Sequence, residues 1–164
     1  MAKVIVDTSF LSCVIKTGLL DRTLDIIGES KIFITEMVKN ELEQSRIYEE
    51  SKDLIGPDGP IIVLEYEVEV GNAQHDLSFL GNGEASCICY CLENDARMLV
   101  DDREARDKAR ELGIKTLTIP DLLLLGKRRG KIEKEEMISI IETLKKEDNY
   151  LFSEDVKEKL LEYS

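Results

Sequence analysis

Residues 3–11, KVIVDTSFL, place three β-branched residues (Val4, Ile5 and Val6) directly before an aspartate, Asp7. A short run of β-branched residues predicts a buried β-strand. A carboxylate at the exit of such a strand is either the N-cap of the next helix or the first part of a site. Thr8 and Ser9 follow and could cap the same helix, so both interpretations stay open at this point.

The apolar segments that follow alternate between strand and helix patterns. Strands are predicted at KVIV, KIFIT, IIVLEY, RMLV and KTLTI, with helical segments between them. Parallel strands need crossover connections, so this alternation predicts a mostly parallel sheet with helices on both faces. We therefore expect an α/β protein with a three-layer α/β/α fold, and a single domain over residues 1–164.

Three helical predictions can be compared directly with the structure. Residues 36–54 are expected to form one long helix, and NAQHDLSFL (residues 72–80) another. Residues 130–164 are expected to form a helical C-terminal extension packed on the same domain. The reason is an apolar stripe at helical spacing in that extension, formed by Met137, Ile138, Ile141 and Leu144.

Composition narrows the function classes. The formal net charge is −12, which argues against a broad nucleic-acid footprint but allows a local basic patch or an acidic site that holds a cation. The sequence has neither a long apolar span nor a signal peptide, so we expect a cytoplasmic protein with no membrane contact. His75 is the one histidine of the chain, which argues against a catalytic triad and against a metal site with histidine ligands.

The four cysteines do not form a recognisable metal or disulfide pattern. Three of them, Cys87, Cys89 and Cys91, are two residues apart on a predicted helix, so only Cys87 and Cys91 share a face. No second cluster is present to complete a zinc site. Free cysteines that pack as small buried residues are the favoured interpretation.

Acidic residues stand at four places where a site is expected. Asp7 ends the first strand, Asp101 and Asp102 follow the RMLV strand, and Glu84 opens a helix that is apolar nearly all round. Each of these can also be explained as a cap or as a charge that complements the helix dipole. Glu41 lies beside the predicted inward stripe of its helix, so we expect its carboxylate to turn towards the sheet.

The carboxyl ends of parallel strands meet at one edge of a sheet, and we expect these acids to gather there. No lysine or arginine occupies a matching position. Crowded carboxylates without counter-charges raise one another's pKa or recruit a cation. Oxygen ligands without His or Cys suit Mg²⁺ or Mn²⁺.

Four motifs in order resemble those of PIN-domain proteins, in particular ribonuclease toxins of the virulence-associated-protein-C type. They are IVDTSFL, VKNELEQ, GNGEASCICYC and LVDDREAR, and the later LGIKTLTIPDLLLLGKRRGKI is similar to a prokaryotic PIN subgroup. The chain departs from the pattern in two places, with Glu84 where many members have Asp and with VDDREAR as an unusual fourth motif. Asp101 and Asp102 therefore remain alternatives for the fourth ligand.

The resemblance implies a function and a site. Catalytic and metal-binding acids would be Asp7, Glu41, Glu84 and Asp102, with Asp101 as a further metal ligand and Ser9 and Glu104 in support. The implied activity is cleavage of RNA by a Mg²⁺- or Mn²⁺-dependent endoribonuclease. Implied partners are RNA, a cognate antitoxin if the protein is a toxin, and a second copy in a homodimer.

Two other function classes compete with this hypothesis. A PIN-fold module that binds RNA or protein without cleavage would have the same sequence features. A phospho-acceptor signalling domain is suggested by LVDD, but its acidic pair should follow the first strand instead of a later one.

Basic residues that could contact RNA form two groups. Arg103 and Arg106 lie close to the acids in sequence. The basic cluster, Lys127, Arg128, Arg129 and Lys131, is the other group. A helix C-terminus closed by Gly130 is the favoured interpretation of this cluster, ahead of phosphate contact.

Overall fold

The central sheet is parallel throughout, as the alternating pattern predicts. A computed structural model of the chain describes residues 2–65 and 76–164. The described residues form five strands, β1 (Lys3–Val6), β2 (Ile32–Ile34), β3 (Ile61–Val63), β4 (Ala96–Leu99) and β5 (Thr116–Leu117). Their order is β3-β2-β1-β4-β5, and every pairing is parallel.

Helices connect the strands and continue beyond the last one. In the described ranges they are α1 (Thr8–Lys16), α2 (Leu20–Ile27), α3 (Glu36–Glu43), α4 (Tyr48–Ser51), α5 (Asn82–Glu93), α6 (Arg103–Glu111), α7 (Ile119–Arg128), α8 (Lys134–Asp148) and α9 (Glu154–Leu161). Val4, Ile5 and Val6 are all buried. Successive strand residues face opposite sides of a sheet, so both faces of β1 are covered and the predicted three-layer α/β/α fold is confirmed.

Strand order places a crevice at the carboxyl ends of β1 and β4. The chain leaves β1 for β2 and β3 on one side and returns to β4 and β5 on the other. Connections that leave neighbouring strands in opposite directions open a crevice between them, where open α/β sheets bind ligands. The Asp7 N–H donates to the Leu99 carbonyl at 3.1 Å, which joins the two strands at the base of this crevice.

The long helix predicted over residues 36–54 is wrong, because α3 ends at Glu43 and α4 begins only at Tyr48. The Ser45 hydroxyl donates to the Leu42 carbonyl at 2.7 Å. A serine that bonds nearby backbone in this way competes with continued helix formation.

Residues 72–75 of the helix predicted at NAQHDLSFL lie outside the described residues. For residues 76–80, which are described, the prediction of a helix is wrong. Residues 76–80 form a turn in which the Asp76 carboxylate accepts the Ser78 N–H at 3.0 Å. The third strand, predicted to reach Tyr66, ends at Val63, and Tyr66 itself lies outside the described residues.

Residues beyond 130 form α8 and α9, which pack against α1 and α7. The predicted stripe is correct at Met137, Ile141 and Leu144 but wrong at Ile138, which is 40% exposed. Ile140, 6% exposed, takes its place in the core. The buried face of α8 is therefore close to the predicted one, with Ile140 in the place of Ile138.

Two expectations about the rest of the chain can be stated briefly. All four cysteines are free and buried, as the packing interpretation predicts. Within residues 2–65 and 76–164, no helix combines the length and apolar content that a bilayer-spanning segment needs.

Candidate functional site

Asp7 serves as a helix cap and keeps one oxygen free. Its Oδ1 accepts the Phe10 N–H at 2.8 Å, so Asp7, and not Thr8 or Ser9, caps α1. The side chain is completely buried, and its Oδ2 has no hydrogen-bond partner among the described residues. The two interpretations of Asp7 therefore do not exclude each other, because each uses a different oxygen.

Glu84 lies in the first turn of α5, which packs on β1 and β4. Its Oε2 is the second buried side-chain oxygen without a hydrogen-bond partner in the described part of the chain. An unpaired buried polar atom costs about 1–3 kcal/mol, and more when the group is charged. Only two such atoms occur among the described residues, and both belong to acids of the predicted site.

Glu41 reaches the same place from α3. The Thr8 hydroxyl donates to Glu41 Oε1 at 2.6 Å. A Cβ atom added at Gly83 would lie 1.8 Å from that oxygen and 3.2 Å from the Thr8 Oγ1. The missing side chain at Gly83 thus makes room for the Glu41 carboxylate beside Glu84.

Glu41, whose carboxylate we expect to turn towards the sheet, is an exposed residue. Its contacts with Thr8 and Gly83 nevertheless place the carboxylate at the crevice and not on the outer face of α3.

Asp101 and Asp102 have different partners. Asp101 Oδ1 accepts the Ile119 N–H at 3.0 Å and the Tyr150 hydroxyl at 2.9 Å, so this side chain supports the start of α7. Asp102 Oδ2 accepts the Ala105 N–H at 3.0 Å as the N-cap of α6. After burial, the negative charge of Asp102 and a side-chain contact with it are the next causes of the raised pKa of Glu84, so the two carboxyl groups lie side by side.

We call Asp7, Glu41, Glu84 and Asp102 the acidic rim. Burial is the main reason that the pKa of Asp7 rises to about 8. The Phe10 N–H opposes this rise, and the charges of Glu84, Asp101 and Asp102 add to it. Burial, followed by the charge of Asp102, raises the pKa of Glu84 to about 7.

A divalent cation fits this donor set, although no ready coordination shell is present. In the described ranges, no group of three or more His, Cys, Asp or Glu side chains is already arranged to hold a metal. The ion pairs found there do not include any member of the acidic rim. Two orphaned carboxylate oxygens suffice for Mg²⁺, which usually keeps several waters and binds through one or two carboxylates.

The predicted supporting residues are only partly engaged. Ser9 is exposed, and the hydroxyl that contacts an acid is that of its neighbour, Thr8. Glu104 lies in the first turn of α6, and its charge helps to raise the pKa of Glu84. Sequence reasoning missed both Thr8 and Gly83, although Gly83 directly precedes Glu84.

The basic residues predicted to contact RNA lie in two separate places, and the first pair is near the acidic rim. Arg103 is exposed at the start of α6, next to Asp102. Arg106 is one turn further along and pairs with Asp107 at 3.0 Å. Both lie on the helix that Asp102 caps, near the acidic rim.

The basic cluster has structural partners. Lys127 donates to the Lys159 carbonyl at 2.6 Å, and its ammonium lies 4.8 Å from the centre of the Tyr163 ring. Arg129 donates to the Ile26 carbonyl, and Lys131 pairs with Asp25 at 3.2 Å. Arg128 is an exposed residue at the end of α7.

Comparison with known proteins agrees with the fold. The chain matches the model of a family described as PIN domain (DUF3368) over residues 3–164. The protein belongs to the PIN-domain family. Members of this family are typically nucleases and usually bind divalent metals.

One solved structure adds a distant likeness. A PilT N-terminus domain protein from the hyperthermophilic archaeon Sulfolobus solfataricus P2 is 21% identical, with a TM-score of 0.44. The match covers 73% of this chain and 88% of that one. A search of curated proteins gave no match.

Proposed function

We propose that this PIN-domain protein is a divalent-metal-dependent endoribonuclease whose acidic rim holds Mg²⁺ or Mn²⁺. The observation that carries the proposal is the pair of buried oxygens without a partner, Asp7 Oδ2 and Glu84 Oε2, at the carboxyl ends of the strands. Folding alone would select against two such groups. A bound cation satisfies both of them at once.

The rim residues have distinct tasks. The Phe10 N–H fixes one oxygen of Asp7 so that the other is presented to a ligand. Thr8 holds Glu41 in the same manner, and the Ala105 N–H holds Asp102. When bound, the ion would lower the pKa of a water and neutralise charge that develops on the phosphate.

Substrate binding requires that the negative charge of the protein be overcome locally. The net charge of −12 repels RNA, and the cation reverses the sign of the rim where the phosphate must lie. Arg103 and Arg106 are the cations placed to contact the RNA backbone next to this rim. In-line attack by water would leave a 5′-phosphate and a 3′-hydroxyl.

The deciding experiment compares Asp7→Asn with wild type on single-stranded RNA, with Mg²⁺ or Mn²⁺ added. Asn can cap α1 as well as Asp does, so the fold is retained while one ligand is lost. We expect metal-dependent cleavage to disappear. Asp25→Asn, which removes one negative charge outside the rim, should cleave as wild type does.

Other outcomes would assign a different function. Wild-type protein that binds RNA without cleaving it in either metal would favour the non-catalytic module. Normal cleavage by Asp7→Asn would leave Asp7 as a cap only. A role as a toxin with a cognate antitoxin is a further hypothesis, tested by growth arrest on expression and its relief by coexpression of a neighbouring gene product.

A further inference from the structure

Tyr150 lies in the turn between α8 and α9, and one backbone conformation and two contacts fix its direction. Asn149 closes α8 in the left-handed conformation, with φ of 51°. The Tyr150 N–H then donates to the Leu144 carbonyl at 3.0 Å, which ties the turn back to the last part of α8. The Tyr150 ring packs on Phe152 with centroids 5.1 Å apart.

This turn places the Tyr150 hydroxyl beside the loop that follows β4. The Tyr150 hydroxyl donates to Asp101 Oδ1 at 2.9 Å, and the Ile119 N–H donates to the same oxygen at 3.0 Å. Two donors on one oxygen hold the Asp101 side chain against the start of α7. Asp101 is thereby kept in a supporting contact with α7 and Tyr150.

The C-terminal end of α8, next to Tyr150, also contacts α1, the helix that Asp7 caps. Lys16, the last residue of α1, pairs with Asp148 at 3.1 Å. Helix α1 and the loop after β4 therefore share one support, the end of α8. The two halves of the acidic rim are attached to the same element of the C-terminal extension.

We propose that Tyr150 is a positioning residue of the metal site, which acts through Asp101 to direct the carboxylate of Asp102 towards Glu84. Asp102 has an extended backbone, with φ of −65° and ψ of 128°. Asp101 directly precedes Asp102, so both side chains are carried by the same short stretch of backbone after β4. Fixing Asp101 against α7 therefore fixes the side on which Asp102 is presented, and the inference rests on the proposed metal-dependent function.

The test measures the affinity of the full-length protein for Mn²⁺ alone, by titration calorimetry. Loss of an outer-shell partner typically costs about 10–100-fold in metal affinity. We expect Tyr150→Phe to weaken Mn²⁺ binding by at least about tenfold on this basis. Tyr163→Phe is the matched control, because its hydroxyl also lies in the extension and donates at 2.9 Å to a backbone carbonyl, that of Ile132.

A second measurement shows whether Tyr150 acts through Asp101. We expect Asp101→Ala to weaken Mn²⁺ binding by a similar factor, and the double variant with Tyr150→Phe to be no weaker than Asp101→Ala. Additive losses in the double variant would overturn the inference. So would equal affinities of Tyr150→Phe and Tyr163→Phe, which would show a structural role only.

These outcomes are separable from failure of the proposed function. If wild type binds Mn²⁺ but does not cleave RNA, the ribonuclease proposal falls while the affinity comparison still decides the role of Tyr150. If wild type cleaves RNA and Tyr150→Phe keeps full Mn²⁺ affinity, the ribonuclease proposal stands and the inference is overturned. Absence of Mn²⁺ binding by wild type would overturn both.

Discussion

The acidic rim and the basic cluster lie towards opposite ends of α7, and they differ in how their charges are satisfied. Asp101, beside the rim, accepts the first N–H of α7, whereas the basic cluster begins at its last turn. A helix of this length spans about 15 Å. Lys127, Arg129 and Lys131 all contact carbonyls or carboxylates of their own chain. Two rim oxygens have no partner in the described residues.

This difference shows how a structural charge cluster can be told from a functional one. In the sequence, both clusters are groups of like charges that could bind a ligand. Charges that already have partners have little to offer a ligand, whereas buried carboxylates without counter-charges destabilise the fold unless something binds them. The absence of partners, and not the density of charge, is the reason that the rim is the candidate site.

Of these predictions, the largest effect is that of Asp7→Asn on the stability of the metal-free protein. The pKa of Asp7 is raised from 3.8 to about 8, so the folded state holds a proton that the unfolded state releases. The free energy of unfolding of the metal-free wild type should therefore fall as pH rises from about 4 to about 8. The variant should lose most of this slope and be more stable at pH 8, by several kcal/mol. Thermal unfolding across this pH range, with chelator present, measures both.

Glu84 provides the internal reference for that experiment. Because the pKa of Glu84 is raised to about 7, the free energy of unfolding of the variant should still fall with pH, but less steeply than that of wild type. This remaining decrease should end near pH 7, about one pH unit below the end of the wild-type decrease. Equal pH dependence of Asp7→Asn and wild type would mean that the buried carboxylate carries no charge penalty, and the contrast between the two clusters would disappear.

Adding Mn²⁺ should give the next largest effect. A ligand at one hundred times its Kd stabilises the folded state by about 2.7 kcal/mol. We expect a larger increase in Tm at pH 8 than at pH 6, because metal binding must displace protons from Asp7 and Glu84. Variants of the basic cluster, such as Arg129→Met, should show the same increase as wild type. Failure of Mn²⁺ to raise Tm at either pH would contradict the proposed metal site.

Gly83→Ala should have an effect of about 2 kcal/mol, because inserting a methyl group into a packed site forces neighbours to move. The added Cβ would meet Glu41 Oε1 at 1.8 Å, so the Glu41 carboxylate must leave its position. Gly81→Ala is the control, since its Cβ would lie 3.5 Å from Glu84 Oε1, an ordinary contact. Chemical denaturation and Mn²⁺ titration of both variants test this. Identical metal affinities would remove Glu41 from the site.

Arginine substitutions should give the smallest changes and separate the two groups of predicted RNA contacts. Arg129→Met loses a hydrogen bond to a backbone carbonyl and should cost about 1 kcal/mol of stability without changing RNA affinity. Arg103→Met should keep its stability and bind RNA more weakly. Filter binding to single-stranded RNA at two salt concentrations measures the difference. The reverse pattern would move the RNA path to the basic cluster.

Some features of the site could be predicted because they follow from strand order alone. Asp7 and Asp102 follow strands, and parallel strands bring their carboxyl ends to one edge. Their placement needs no knowledge of side-chain packing. The same holds for the buried helix that begins near Glu84, since it is apolar nearly all round.

Other features depend on contacts that the sequence does not encode locally. Thr8 contacts Glu41 in place of the expected Ser9 because Asp7 takes the cap and sets the phase of α1. Asp101 and Asp102 are adjacent, and their roles separate through contacts with distant residues, among them Tyr150, which is 49 residues away from Asp101. Ile140 replaces Ile138 in the core because several apolar phases fit one helix, and only packing selects among them.

The pairing of β1 with β4 has a consequence for folding kinetics. Val6 pairs with Leu99, so the crevice closes only when segments roughly ninety residues apart in the chain have met. Contacts of such long range cost entropy before they contribute, and they tend to form late. Repulsion among the rim carboxylates would then arise mostly after the transition state. Raising the pH should accelerate unfolding of the metal-free protein while its refolding rate changes little.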